Sequence, residues 1–407
     1  MNPNAHFPLS LVFTFWLWLT AYPLSGQETL NLAGTVVDAA DGTPLPFAHI
    51  HYAGYQYGSA TNTEGRFRIR ISAAYRQDTL VFSYVGYAPY RLPLSAFDAS
   101  RSELNIALEA ATAELPTIEV LSGGVDAGGI VRRAIERIPD NYAEEESRLR
   151  GFYRETIRQE DRPGYLLYAE GVLDTYKFPY KRRRRADRIC LEKGYRRALP
   201  YAVQADSIYE LPMLSEGAHM SSILDIVRNR DFLINPLLLD WYELTLLGRT
   251  VLDGRILYEV GFRPDKERKD RAFFEGTLLI DVDTYALVRL DFRVTEQARR
   301  AHNRSAAKWD VALTDRRYDI QYFPFRGKWQ LQRADVEQTY RHGPTEETVR
   351  CRMYYVVTEI DMEDVERIRR RDALDPSEAF MEMVEAVDSS YWEAYNILPP
   401  EEVGFER

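Results

Sequence analysis

The sequence predicts a mainly β protein in two parts: a seven-stranded N-terminal β-sandwich, then a larger α+β domain built on a curved antiparallel sheet. Three observations carry this. Residues 30–120 break into short strand-like segments with turn signals at roughly 8–12-residue spacing, as sandwiches do. From Leu149 onward the segments lengthen and become rich in aromatics. The chain holds 27 Tyr and 18 Phe, residues that favour strands over helices.

Its 407 residues suffice for two or three domains of ordinary size. Hydrophobic residues make up 45% and charged residues 28%, a globular balance. The net charge of −10 argues against a general nucleic-acid binder, which would normally be basic. Residues 1–26 stand apart. Leu9–Leu19 is an uncharged apolar run, shorter than the ~20 residues a spanning helix needs. Small residues, Ser25 and Gly26, follow it. This reads as a secretory signal cleaved near Gly26, although the n-region offers only His6 and no Lys or Arg. An uncleaved anchor is the alternative. No Cys lies near the cleavage point, against a lipid anchor. The two cysteines, Cys190 and Cys351, could form a disulfide in an oxidising exterior or stay as buried thiols. Spacing in sequence does not decide between these.

The N-terminal part reads in order. Leu32–Asp38 is a strand, Asp41-Gly42 a tight turn, and Pro44 and Pro46 keep the next stretch extended. Ala48–Tyr52 is a second strand. Thr61–Gly65 is a turn whose Gly can take a positive φ. Arg66–Ile71 alternates, placing Phe67, Ile69 and Ile71 on one face. Thr79–Val85 is a nearly continuous apolar run, as in a central strand, and Leu104–Leu108 closes the set.

Four ordered blocks carry a family resemblance: Gly34–Asp38, Asp41–Ala48, Thr61–Phe67 and Phe82–Tyr87. Together they resemble the carboxypeptidase-regulatory-like domain over about residues 30–120. The resemblance implies a transthyretin-like sandwich that does no chemistry itself and that heads many TonB-dependent outer-membrane receptors and other envelope proteins. Asn62 stands where the family often has Asp. Leu115–Val120 resembles the exit strand of those receptors, but no large barrel follows, so receptor activity does not carry over.

Ser122-Gly123-Gly124 and Gly128-Gly129 mark a linker, placed at 121–129, before an α+β domain over 130–400. Ile130, Val131, Ala134, Ile135 and Ile138 fall at helical spacing, and Pro139 ends that helix. Gly151–Ile157 and Tyr165–Tyr176 form an antiparallel pair around Pro163-Gly164. Further strands are Tyr242–Val251, Arg255–Phe262, Phe273–Asp281, Ala286–Thr295, Tyr318–Pro324, Trp329–Tyr340 and Thr348–Ile360. Asp253-Gly254 is a hairpin turn. Met220–Val227 is a short helix, and residues 363–395 are helix-compatible. Ala134–Tyr142, Gly151–Glu155 and Tyr391–Pro399 resemble pieces of envelope proteins of unassigned function. Gly276–Asp281 with Leu287-Val288 is similar to the curved sheets of periplasmic lipoprotein carriers, in a pattern that any antiparallel sheet also uses.

No catalytic residues emerge. None of His6, His49, His51, His219, His302 and His342 is followed three residues on by Glu, and no HExxH, Walker A, GxGxxG or GxSxG occurs. His49 and His51 share a strand face and could supply two metal ligands, but no further ligand accompanies them; ordinary exposed strand histidines are expected, with no metal and no cofactor. Ser305-x-x-Lys308 lacks the companion boxes of acyl-serine hydrolases. Lys181, Arg182, Arg183, Arg184 and Arg185 form a candidate anion-binding run, or else a solvated hairpin tip. Tyr153, Tyr165, Tyr168 and Tyr176, with Phe152, could line a ligand-stacking concavity, or could simply pack a sheet onto helices.

The expected function is non-enzymatic binding or assembly in the cell envelope, exported to the periplasm or associated peripherally with the outer membrane. The partner would be an envelope protein, glycan or lipid, not nucleic acid. The rivals are a carrier holding an amphiphile or glycan in a curved-sheet cavity, and a hydrolase with an unfamiliar site.

Overall fold

A computed structural model describes residues 29–54, 58–97, 103–111, 126–161, 164–182, 185–197, 217–230, 234–267, 272–343, 345–363, 365–376, 378–384 and 398–399. The predicted signal, the exit strand at Leu115–Val120, most of the linker, Arg183, Arg184 and residues 391–397 of the Tyr391–Pro399 piece lie outside the described residues.

The N-terminal sandwich contains seven strands. They are β1 (Thr29–Asp38), β2 (His49–Tyr52), β3 (Gly58–Ala60), β4 (Arg66–Ser72), β5 (Thr79–Ser83), β6 (Tyr90–Pro93) and β7 (Glu103–Leu108). One sheet has the order β4-β1-β7, the other β3-β2-β5-β6. Alternation in β4 buries Phe67, Ile69 and Ile71 against Leu32, Ile50 and Phe82, giving the sandwich its own core. Burying such side chains is the main stabilising term, about 1.5–3 kcal/mol each.

Helices α1 (Ala127–Glu136) and α2 (Ile138–Asn141) follow. Gly128 and Gly129 belong to the first turn of α1, where Gly128 N–H donates to the Asp126 cap, so the predicted linker is partly helix. Pro139 does more than stop α1: it sits in the first turn of α2, where its missing N–H costs nothing.

Ten strands then build one open antiparallel sheet. They are β8 (Ser147–Gln159), β9 (Leu167–Lys177), β10 (Arg188–Arg196), β11 (Tyr242–Leu252), β12 (Arg255–Pro264), β13 (Phe274–Asp281), β14 (Leu287–Val294), β15 (Val311–Phe325), β16 (Lys328–His342) and β17 (Thr348–Asp361). Helices α3 (Met220–Ile223), α4 (Glu296–Ala306) and α5 (Phe380–Met383) interrupt or follow them. The order is β10-β9-β8-β17-β16-β15-β14-β13-β12-β11. The chain starts mid-sheet at β8, runs out to the β10 edge, crosses to the β11 edge and returns as a meander, so that β17 pairs with β8. Asp253 (φ 50°) and Gly254 (φ 76°) make the predicted tight hairpin between β11 and β12.

Helix α1, the side chains of Met220, Leu224, Ile226, Val227 and Ile234, and α5 cover one face of this sheet and close the main core. Within the predicted helical stretch 363–395, α5 is the helix among the described residues, and only Met220–Ile223 of the predicted 220–227 helix is helical. Strand β10 and helix α4 were not foreseen. Cys190 and Cys351 are not joined in a disulfide.

Candidate functional site

The other face of the large sheet carries the sandwich. Strand register determines what that face presents. Asp291, Asp319, Asp335, Tyr354, Arg154 and Glu170 lie directly opposite one another across β14, β15, β16, β17, β8 and β9. The flanking row on one side is Arg289, Gln321, Arg333, Val356, Phe152 and Val172; on the other it is Arg293, Arg317, Glu337, Arg352, Thr156 and Tyr168. Three aspartates side by side would repel. The arginines of the flanking rows reach diagonally to offset this. Arg289 Nε donates to Asp319 at 2.8 Å, Arg333 Nη2 to Asp319 at 2.5 Å, and Arg352 to Asp335 at 2.9 and 2.6 Å. Burial alone would raise the Asp319 carboxyl, but Arg333 and Arg289 overrule it and hold it near 2. Asp291 is pushed up by burial and by Asp319 beside it.

Into this charged surface the sandwich inserts Phe47. Its backbone takes φ 62°, a left-handed conformation that costs a non-glycine residue roughly 1–2 kcal/mol. The ring lies 4.6 Å from the Arg352 guanidinium, 5.4 Å from that of Arg333 and 5.4 Å from the Tyr354 ring. Such stacking favours arginine, whose planar cation is weakly hydrated. Thr61 holds the loop in place: its hydroxyl donates to Leu45 O at 2.7 Å and accepts from Ala48 N at 2.8 Å, while its carbonyl accepts from Phe47 N at 3.1 Å.

Asn62 does two jobs. Its Oδ1 accepts from Glu64 N (3.0 Å) and Arg66 N (2.9 Å), closing the turn. Its Nδ2 donates to the carbonyl of Pro399, at 3.4 Å, near the C-terminal end of the chain. Arg154 donates to the same carbonyl at 3.2 Å and to Leu398 O at 2.5 Å, while pairing with Glu170 at 2.6 Å. Leu398 is buried among Ala60, Phe152, Val172, Tyr354 and Val356. Beside it opens a cleft of only ≈ 20 Å³, lined by Arg154, Thr156, Tyr165, Arg352 and Tyr354.

A second contact joins the sandwich to the β11–β12 hairpin. Gly86 N donates to Val251 O at 2.7 Å, and His51 Nε2 lies 3.7 Å from Asp253 Oδ2. The His49 and His51 rings stack at 4.4 Å, and His49 faces Phe323 of β15 at 5.9 Å. Both histidines are buried in this seam, which corrects the expectation that they are exposed. They do share a face, as their spacing implied. Burial, the neighbouring His51 and Arg333 push His49 well below its ordinary range. Burial brings His51 down to about 4 despite its hydrogen bond to Tyr52 O. Burial raises Asp253 to about 6. No group of three or more His, Cys, Asp or Glu able to hold a metal occurs among the described residues.

The sequence-predicted tyrosines do not share one surface. Tyr153 lies in the main core, 4.7 Å from Phe380, on the face away from the sandwich. Tyr168 and Tyr176 point to the opposite face. Tyr168 is in edge contact with Tyr165, its hydroxyl donating to Glu170 at 2.5 Å. Tyr176 packs on Phe178, 5.0 Å away, and accepts from Arg367. All four are buried, and of them Tyr165 lines the small cleft.

The basic run follows β9. Lys181 and Arg182 are exposed beside Glu144 (3.7 Å) and Glu146 (3.5 Å). The Arg185 guanidinium sits 5.5 Å from the Phe178 ring, and its carbonyl accepts from Arg228. Beneath the run lies a network that sequence reasoning missed. Lys177 pairs with Asp225, and Arg228 with Asp187 at 3.2 Å; all four are buried. Tyr322 donates to Asp225 at 2.9 Å. Two cations match two carboxylates, and Arg228 also donates to the carbonyls of Phe178 and Pro179. These residues are far apart in sequence, so no local pattern announces them.

Residues 32–120 match the profile of the CarboxypepD_reg-like domain, and this matched stretch supplies the seam residues Phe47, His49, His51, Asn62 and Gly86. No curated protein matches the chain. Among solved structures the chain is similar to an outer membrane lipoprotein-sorting protein domain from Vibrio parahaemolyticus, at 10% identity, a TM-score of 0.27, and 61% and 97% coverage of this chain and of that one. It is also similar to a LolA superfamily protein from Nitrosomonas europaea, at 11% identity, a TM-score of 0.23, and 60% and 96% coverage. Lipovitellin matches at 10% identity and a TM-score of 0.24, over 56% of this chain and 26% of its own. No helix among the described residues is long and apolar enough to cross a membrane.

Proposed function

We propose that this chain is a non-enzymatic binding or assembly protein of the cell envelope, in which the sandwich and the large sheet act as one composite binding body. One observation carries the reading. Two turn residues of the regulatory-like module, Phe47 and Asn62, hold a neighbouring surface and a peptide segment, and Thr61 braces the loop that presents Phe47. A cluster of buried charged side chains supports it too. Lys177, Asp187, Asp225 and Arg228 are buried and paired with one another, an arrangement suited to fixing structure. On this reading the chain is exported, with cleavage near Gly26, and works in the periplasm or at the outer membrane. Intact mass of the secreted form tests the export step; a mature form still starting at Met1 would contradict it. Lys181, Arg182 and Arg185 add salt-sensitive attraction to an anionic envelope surface, acting over a Debye length of about 8 Å at physiological salt. Co-sedimentation of the purified chain with envelope fractions tests the binding step. Sedimentation that weakens with salt supports it; a chain that stays in the supernatant at every ionic strength refutes it.

A further inference from the structure

The groove where Leu398 and Pro399 sit has the features of a peptide-recognition site. Leu398 provides an apolar anchor, buried between the sandwich (Ala60) and the sheet (Phe152, Val356). Successive main-chain carbonyls, of Leu398 and Pro399, are read by donors from both units: Arg154 on β8 and Asn62 on the sandwich turn. Recognition through main-chain groups plus one side-chain pocket is a general mode of peptide capture. A proline after the anchor suits it, since Pro brings no N–H that would need a partner. Asn62 fits this role better than Asp would. Either residue could accept the two turn hydrogen bonds, but only the amide also donates to the Pro399 carbonyl. A carboxylate there would face that oxygen with like charge. The Tyr354 hydroxyl, buried in the wall of the adjoining cleft, has no hydrogen-bond partner among the described residues. A bound peptide's neighbouring polar group is what would satisfy it.

We propose that this groove is a binding site for extended Leu-Pro peptide segments, and that the chain's own tail occupies it as an internal ligand that a Leu-Pro segment of a partner protein displaces. The inference rests on the reading of the chain as a binding protein and adds the chemical class of its ligand. A tethered tail competes at an effective concentration of about millimolar, so the resident segment sets a threshold that an incoming peptide must exceed.

The test uses the full chain and a fluorescent peptide spanning residues 393–404. In the Leu398→Asp chain, whose tail no longer fits the apolar pocket, the labelled peptide should bind. The wild-type chain should bind it at least about tenfold more weakly, because its own tail competes. Adding Asn62→Asp to the Leu398→Asp chain should cost about a further tenfold, the scale of one lost neutral hydrogen bond. A peptide carrying Leu398→Asp should not bind. Leu398→Ala, which only shortens the anchor, is the second host should the charged variant fold poorly, with folding checked by circular dichroism. A folded, emptied chain that ignores the peptide overturns the proposal. So does equal binding by wild-type and emptied chains. Because the assay contains no envelope material, its failure is distinguishable from failure of envelope binding.

Discussion

Burial of His51 and of Asp253 in the seam makes its stability respond to pH in two opposing ways, and one substitution separates them. His51 is held near 4, below its ordinary 6.5. The unfolded chain therefore takes up this proton first. The stability from a neutral His51 is complete above 6.5 and drains away as pH falls through 6.5 toward 4. Between pH 7 and pH 5 that loss is about 2 kcal/mol. Asp253 behaves oppositely. It stands near 6 against an ordinary 3.8, so the folded chain protonates first. Its burial as an anion costs stability above about 6, and the cost is relieved as pH falls toward 4. Over the same interval this returns about 1 kcal/mol, so the wild-type slope is shallower than the histidines alone would make it. Asp253→Asn removes the buried charge and keeps a residue suited to φ 50° in a two-residue hairpin turn. At pH 7 the variant should be more stable by about 3 kcal/mol, from roughly 2 pK units at 1.36 kcal/mol each. It should then lose about 2 kcal/mol or more on going to pH 5, since His49 titrates in the same direction. Urea unfolding at pH 7, 6 and 5 measures both quantities. A variant no more stable than wild type at pH 7, or one whose stability stays flat to pH 5, would refute the assignment of these burial costs.

Other substitutions probe the remaining parts of the structure. Lys177→Met should lower stability by about 3–5 kcal/mol, because Asp225 loses its buried cation; chemical denaturation checks this. Phe47→Ala should cost about 1–3 kcal/mol, as a half-buried aromatic loses its contacts with Arg333 and Arg352. Phe47→Gly should be no worse, reversing the usual order, because glycine accepts φ 62° without penalty. Combined Arg182→Ser and Arg185→Ser should leave stability within about 1 kcal/mol while weakening binding to anionic envelope fractions.

Much of the fold was legible because strand alternation and turn chemistry are local. The Arg66–Ser72 strand, the Asp253-Gly254 hairpin and the four blocks of the regulatory-like module stand where pattern and resemblance placed them. The site was less legible. Arg289-x-Asp291-x-Arg293 and Arg333-x-Asp335-x-Glu337 alternate in a pattern that any strand with one polar face also uses. Only register shows that the aspartates line up and that arginines from neighbouring rows offset them. His49 and His51 read as exposed because nothing in their strand says that the large sheet covers that face. The aromatic character of Tyr153, Tyr165, Tyr168 and Tyr176 does not tell ligand stacking from packing, and all four are buried. Their assignment to opposite faces needed the pairing of β8 with β9. Asn62 carried a usable signal, its departure from Asp, but the acceptor it serves lies 337 residues away in sequence.

The proposed role is tested most directly by cross-linking in intact envelopes, followed by mass spectrometry of what is joined to this chain. The account predicts a discrete set of envelope partners, reduced when Lys181, Arg182 and Arg185 are replaced by Ser. Recovery of no partner beyond those joined to an unrelated exported control would contradict it.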